Sequence, residues 1–172
     1  ALVTLELAFA ALALGLALGL MGAAAKLSAS PWLARPVTLA LSLLRGVPEF
    51  LILLVVYFGA GQVLGDDLAP GPFAAGALAL GLVLGANASE TFRGAFLAVP
   101  PGQIEAARAF GMTARQAFFR IRLPQAWRVA LPGLGNLWQG LVKDTSLVSV
   151  LGLEEILRKA NIAAQYTKQP FA

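Results

Sequence analysis

The sequence predicts an all-α integral membrane protein with about four spans. Three observations carry that reading. The 172-residue chain is 58% apolar and only 13% charged, against about 45–50% and about 25% in soluble domains. Its apolar residues gather into long runs, which bilayer crossing requires and a soluble core does not. Lys and Arg collect in alternate connections between those runs, the pattern that orients a chain in a membrane.

The first span covers about residues 3–25. Its run "LELAFAALALGLALGLMGAAA" contains Glu6 and has no basic start. It exceeds the about 7–15 apolar residues of a secretory signal, so it reads as a retained span. Gly15 and Gly19 form a G-x-x-x-G that permits close helix approach. In a stretch this rich in Gly and Ala, chance explains the pair equally well. The second span, 37–61, is interrupted by Arg45, Pro48 and Glu49. Pro48 predicts a kink, with Arg45 toward one water interface; a re-entrant segment is the alternative. The third span, 71–99, carries a further G-x-x-x-G at Gly81 and Gly85, and the fourth covers 131–153.

Orientation follows from the connections. Lys26 and Arg35 lie between spans one and two, and Arg108, Arg115, Arg120, Arg122 and Arg128 between three and four. The connection between two and three, "GQVLGDDLAPG", has neither Lys nor Arg. The basic connections are therefore expected in the cytoplasm, with Asp66, Asp67 and the N-terminus outside. Residues 154–172 then emerge outside, where Arg158, Lys159 and Lys168 fit the rule less well and are expected to pair with Glu154 and Glu155 on a short interfacial helix.

Composition excludes several classes. The chain has no Cys and no His, which removes disulfides, Cys/His metal sites, thiol nucleophiles and Ser-His-Asp triads. The net charge of +4 is explained by membrane orientation, and no nucleic-acid signature accompanies it. A phosphate-binding G-x-x-x-x-G-K-[ST] is absent: Gly71 and Gly76 have the spacing, but Ala77 stands where Lys is needed. Any ATP chemistry must come from another chain.

The most informative stretch is the connection of about 100–128, which includes "EAARAFGMTARQAFFRIRLP" at 105–124. Pro100-Pro101-Gly102 ends or sharply bends the third span. Gln103 to Phe110 reads as a short helix capped by Gly111. Thr113 and Gln116 form a capping box, so a second helix starts there. That helix is expected to stop near Arg122, because Pro124 biases Leu123 toward extended backbone. Physical reading alone leaves two uses open: an interfacial helix with arginines on lipid phosphates, or docking into a groove of a soluble partner.

The stretch resembles the EAA loop of bacterial ABC importer permeases: Glu105-Ala106-Ala107, three residues, Gly111, nine residues, Ile121, any residue, Leu123-Pro124. "LLRGVPEFLILLVVYFG", "SETFRGAFLAVPPGQIEAARAFGM" and "VKDTSLVSVLGLEEI" are similar to the polar amino acid branch, of histidine, glutamine and arginine type. The resemblance covers nearly the whole chain. It implies a type I (MetI-like) importer transmembrane domain in the bacterial cytoplasmic (inner) membrane. It further implies a partner permease, identical or closely homologous, two ATPase subunits that hold the ATP and Mg, and an extracytoplasmic substrate-binding protein. No cofactor or metal is expected on this chain. A fifth span is expected beyond residue 172. The EAA helix is implied to seat in the ATPase, with Ala106 and Ala107 allowing close approach, Glu105 offering a charge and Gly111 the turn.

Polar groups inside spans are costly and usually functional, so they mark the substrate path. In span four Asn136, Gln139, Lys143 and Ser146 follow spacings that put them on one stripe, beside Asp144. Span three adds Asn87, Glu90 and Arg93, neighbours on a helix. A zwitterionic amino acid needs both signs nearby. Lys143 or Arg93 is the candidate for its carboxylate, and Glu90 or Asp144 for its ammonium. A structural Glu90–Arg93 lock is the alternative. The resulting expectation is a permease subunit for ATP-driven import of polar amino acids, not itself an enzyme. Import of another small solute, or an ATP-independent carrier or channel, is the competing reading. A membrane-embedded enzyme of the D-D-x-x-D kind has only the external Asp66-Asp67 in its favour.

Overall fold

The computed structural model describes residues 2–65, 69–153 and 156–168, which form helices and short connections. Two helices, α1 (Leu2–Lys26) and α4 (Pro72–Leu97), are each long and apolar enough to cross a bilayer. They form the centre of the fold. Their close approach follows from glycine. A Cβ on Gly19 would lie 2.7 Å from Ala88 Cβ and 3.3 Å from the Gly85 carbonyl. A Cβ on Gly85 would lie 2.8 Å from Leu18 Cβ. The two G-x-x-x-G pairs therefore face each other, and chance is no longer needed to explain Gly15 and Gly19. Lipid tails are as apolar as leucine, so such packing contacts hold membrane helices together.

The second apolar run is broken rather than kinked. Helices α2 (Pro31–Gly46) and α3 (Glu49–Leu64) meet at 105° across Val47 and Pro48. Pro48 lacks an N–H and fixes its own φ, so the chain turns extended there and restarts at Glu49. Taken together, α2 and α3 qualify as one further span. Helix α3 packs on α4 through Ile52 and Leu53, in a core shared with Leu7, Leu80, Leu84 and Val148.

After α4 come α5 (Pro101–Ala109), the single turn α6 (Ala114–Ala117), a π-helical turn at Phe118–Arg122, and α7 (Leu123–Asp144). A 3₁₀ segment, Thr145–Leu151, and α8 (Ile156–Thr167) complete the described chain. Here the structure corrects the sequence reading. The second helix of the connection does not stop at Arg122. Leu123 is helical at φ −61° and ψ −49°, and Pro124 lies inside a continuous helix. The π turn explains this. Leu123 N–H reaches back to the Phe118 carbonyl, an i→i−5 bond, so the register has already changed where Pro124 omits its donor. Gln125 Nε2 donates to the Ile121 carbonyl at 3.0 Å, a side-chain bond that spans the junction.

Helix α7 thus begins earlier than the expected 131 and ends as α-helix at Asp144. The following 3₁₀ winding takes Ser146 off the regular stripe of Asn136, Gln139 and Lys143. Helix α7 crosses α4 through Ala126 and Ala130 against Phe92 and Ala95, and through Leu137 and Leu141 against the main core. The expected pairing of Glu154 and Glu155, and Asp66 and Asp67, lie outside the described residues.

Candidate functional site

The connection between α4 and α7 is built as a lever. Helix α5 ends in a reciprocal C-terminal cap: Met112 N–H donates to the Ala107 carbonyl at 3.0 Å and Gly111 N–H to that of Arg108 at 2.9 Å. Gly111 holds φ +81°, a conformation that costs a side chain dearly. Thr113 Oγ1 accepts from Gln116 N–H while Gln116 Oε1 accepts from Thr113 N–H, the capping box read from the sequence. One helix ends and the next begins within four residues.

Glu105 and Ala106 face solvent. Ala107 does not; it is buried inside the connection, where its small side chain lets α5 pack on the following turns. Of the two alanines, only Ala106 offers close approach to an outside partner. Phe110, the C-cap residue of the same short helix, is an apolar ring 88% exposed. Sequence reading gave Phe110 no role, although its place just before a capping glycine marks it as outward. Ile121 and Leu123 are half-buried and Pro124 is exposed. These three form the junction to α7 rather than the tip. Gln125 also donates to Gln103 Oε1, and Arg122 Nη2 donates to the Phe96 carbonyl at 3.4 Å. The connection is therefore pinned to α5 on one side and α4 on the other. From Ala114 to Asp144 it is one helical rod of about 45 Å at roughly 1.5 Å per residue.

The far end of that rod carries Asp144. Its side chain and that of Glu49, the first residue after the break, meet in a cavity of about 100 Å³. Asn87 and Asn136 complete the polar lining, with Leu80, Leu84 and Gly140 around them. Leu80 to Asn87 is the middle of α4, so the two carboxylates lie at mid-height of a helix long enough to span. Among the described residues neither carboxylate has a Lys or Arg within 4 Å. A wider cleft of about 420 Å³ adjoins through Glu49, Val83 and Asn87, with Arg45 on its wall. Glu49 is the residue that sequence reading treated only as an interruption; an acid directly after a span-breaking proline was the available signal.

The remaining candidates lie elsewhere. Glu90 Oε1 is 2.7 Å from Lys26 Nζ and 3.7 Å from Arg45 Nη1, and its Oε2 accepts from Arg93 Nε at 2.8 Å. Lys26 also donates to Ser89 Oγ at 2.9 Å. Glu90 and Arg93 are thus partners, as the structural alternative held, within a larger cluster that ties α1, α2 and α4. Gln139 and Lys143 are exposed on the open face of α7. Ser146 Oγ donates to the Lys143 carbonyl. Asn87 and Asp144 are brought together; Glu90, Arg93, Gln139, Lys143 and Ser146 do not line that cavity.

With this geometry in view, comparison with known proteins is decisive. Residues 15–172 match the family described as the inner membrane component of binding-protein-dependent transport systems. The chain belongs to this family. Among family relatives, the histidine/lysine/arginine/ornithine permease protein of Salmonella typhimurium is 44% identical over 99% of this chain and 78% of its own. The arginine ABC transporter permease of Haemophilus influenzae is 43% identical over 99% and 78%. The octopine permease protein of Rhizobium radiobacter is 42% identical over 98% and 75%. A solved amino acid ABC transporter with histidines superposes with a TM-score of 0.85 at 34% identity, over 98% of this chain and 77% of that one. The MetNI methionine ABC transporter in an inward-facing form gives 0.73 at 22% identity, over 95% and 76%, a likeness of fold. The protein is a type I importer transmembrane domain of the inner membrane.

Proposed function

We propose that the chain is the permease subunit of an ATP-driven importer of polar amino acids, and that its substrates carry a side-chain cation. The observation that carries the second part is the Glu49–Asp144 pair, held at mid-span with no Lys or Arg within 4 Å among the described residues and only the exposed Lys143 acting on Asp144 from farther off. Charges at that depth are expensive and persist where they meet a ligand, a partner or water. Two carboxylates flanked by Asn87 and Asn136 match a guanidinium, imidazolium or ammonium group, which can donate to several acceptors at once. Arg45, on the wall of the adjoining cleft, is suited to the substrate carboxylate. The relatives' names, which include histidine, lysine, arginine and ornithine, support the same class.

The ATPase takes hold at Glu105, Ala106 and Phe110. A turn of Gly111 and Thr113 passes its movement into the rod that ends at Asp144. Two permeases then move as rigid bodies to alternate access. The exposed stripe of Asn136, Gln139 and Lys143 faces the second permease or a wet cavity. Positive connections support an EAA loop in the cytoplasm and an N-terminus outside, and the reading includes ATP and Mg on the ATPase and an external binding protein delivering substrate.

Proteoliposomes bearing the assembled complex test this reading with radiolabelled arginine, lysine, histidine, glutamine and glutamate. ATP-dependent uptake is expected to favour the cationic members. Glu49→Gln with Asp144→Asn should remove that preference. Equal uptake of glutamate and arginine by the unaltered complex contradicts the assignment of the cavity.

A further inference from the structure

Two apolar grooves adjoin where α6 and the π turn return to the membrane helices. One, of about 420 Å³, is walled by Leu20, Phe92, Phe96, Phe119 and Trp127. The other, of about 480 Å³, is walled by Leu20, Ala24, Leu27, Phe118 and Arg122. They share Leu20, Phe96 and Leu123, so they form one trough. Its depth is fixed by its walls. Leu27 follows the last residue of α1 and Phe96 is next to the last of α4, so the trough opens at the end of both spanning helices.

Two guanidiniums stand on rings of this trough. Arg122 lies 5.8 Å from the centroid of Phe96 and Arg115 lies 5.9 Å from that of Phe119. Arg120, between them in sequence, is exposed. An apolar slot rimmed by fixed cations at the water interface matches an amphiphile with an anionic head and an apolar tail.

We propose that this trough is a binding site for an anionic phospholipid, with an acyl chain against Phe92, Phe96 and Trp127 and the phosphate on Arg122 and Arg115. The consequence is mechanical. Phe118, Phe119 and Arg122 belong to the π turn that joins the loop to α7. A lipid in the trough braces the point at which the lever enters the membrane, so coupling depends on the charge of the leaflet.

The test uses the assembled transporter in phosphatidylethanolamine nanodiscs. The probe is a trace phosphatidylglycerol carrying a photoactivatable diazirine on its acyl chain. Label is expected on residues 92–96 and 118–127, displaced by unlabelled phosphatidylglycerol but not by equal phosphatidylcholine. Arg115→Gln and Arg122→Gln should each weaken that competition by about fivefold. Three outcomes overturn the site: equal displacement by both lipids, label no denser than on the exposed α2 residues Leu39 and Leu43, or no label in the trough because protein fills it. The competition in the unaltered complex decides the matter even if the variants fold poorly.

Discussion

The ammonium of Lys26 lies 2.7 Å from Glu90 Oε1, and the lysine side chain is only 2% exposed. The pair joins the end of α1 to α4, and Arg93 and Arg45 complete the cluster. Glu90 already has cations on both oxygens, which is why the proposed substrate cation is given to Glu49 and Asp144. Breaking a buried pair from one side leaves an uncompensated charge and costs on the order of 3–5 kcal/mol. The two sides are unequal here. Glu90→Gln strands a buried ammonium, whereas Lys26→Met leaves Glu90 paired with Arg93. The glutamate variant should lower the thermal unfolding midpoint more. The reverse order would mean that Arg93 does not neutralise Glu90 once Lys26 is gone.

The α1–α4 contact gives a second prediction. A side chain at Gly19 or Gly85 would enter Ala88 or Leu18 at under 3 Å. Gly85→Leu should separate the helices and cost at least the roughly 1–3 kcal/mol of an overpacked core. Gly94, where a Cβ meets nothing within 4 Å, should accept alanine with little change. Thermal stability in detergent distinguishes the two positions.

The docking face yields a third. Phe110 and Glu105 project from one short helix, while Ala107 is internal. Phe110→Ala should cost more than about 1 kcal/mol of ATPase affinity, as buried aromatic anchors do, without lowering the permease's own melting point. Ala107→Leu should do the opposite and disorder the connection itself. Pull-down of the ATPase, alongside melting of the isolated permease, separates these effects.

The π turn gives a fourth. Pro124→Ala restores a donor and lets the turn revert to α-helix, which rotates α6 by about 100° relative to α7. ATPase binding should survive, but ATP hydrolysis should no longer drive uptake. Retained coupling would show that the turn has no part in transmission.

Much of this was legible in the residues. Gly111 and the Thr113–Gln116 box were readable because caps are local: a few neighbours decide them. The loop motif was readable from its spacing, whereas its partner came only with the family resemblance, because the residues alone leave lipid and protein docking open. Pro124 was misread because its effect depends on hydrogen-bond register five residues upstream, which no local rule encodes. The break at Val47 and Pro48 was foreseen as a kink, but its angle is set by how α3 packs on α4. Glu49 and Asp144 are separated by most of the chain, so only the folded arrangement brings them together. Glu90 and Arg93 were found as neighbours, yet Lys26 reaches them from another helix and changes what they do.

The central claim is that ATP hydrolysis on a partner drives amino acid uptake through this chain by way of the EAA loop. The most direct measurement is arginine uptake into proteoliposomes containing the permease, its ATPase and its binding protein, with and without enclosed ATP. Uptake should require ATP and fall to background in Glu105→Lys, while the variant permease remains folded and still pairs with its partner permease. Arginine entry that proceeds equally without ATP, or that is untouched by Glu105→Lys, would contradict the account.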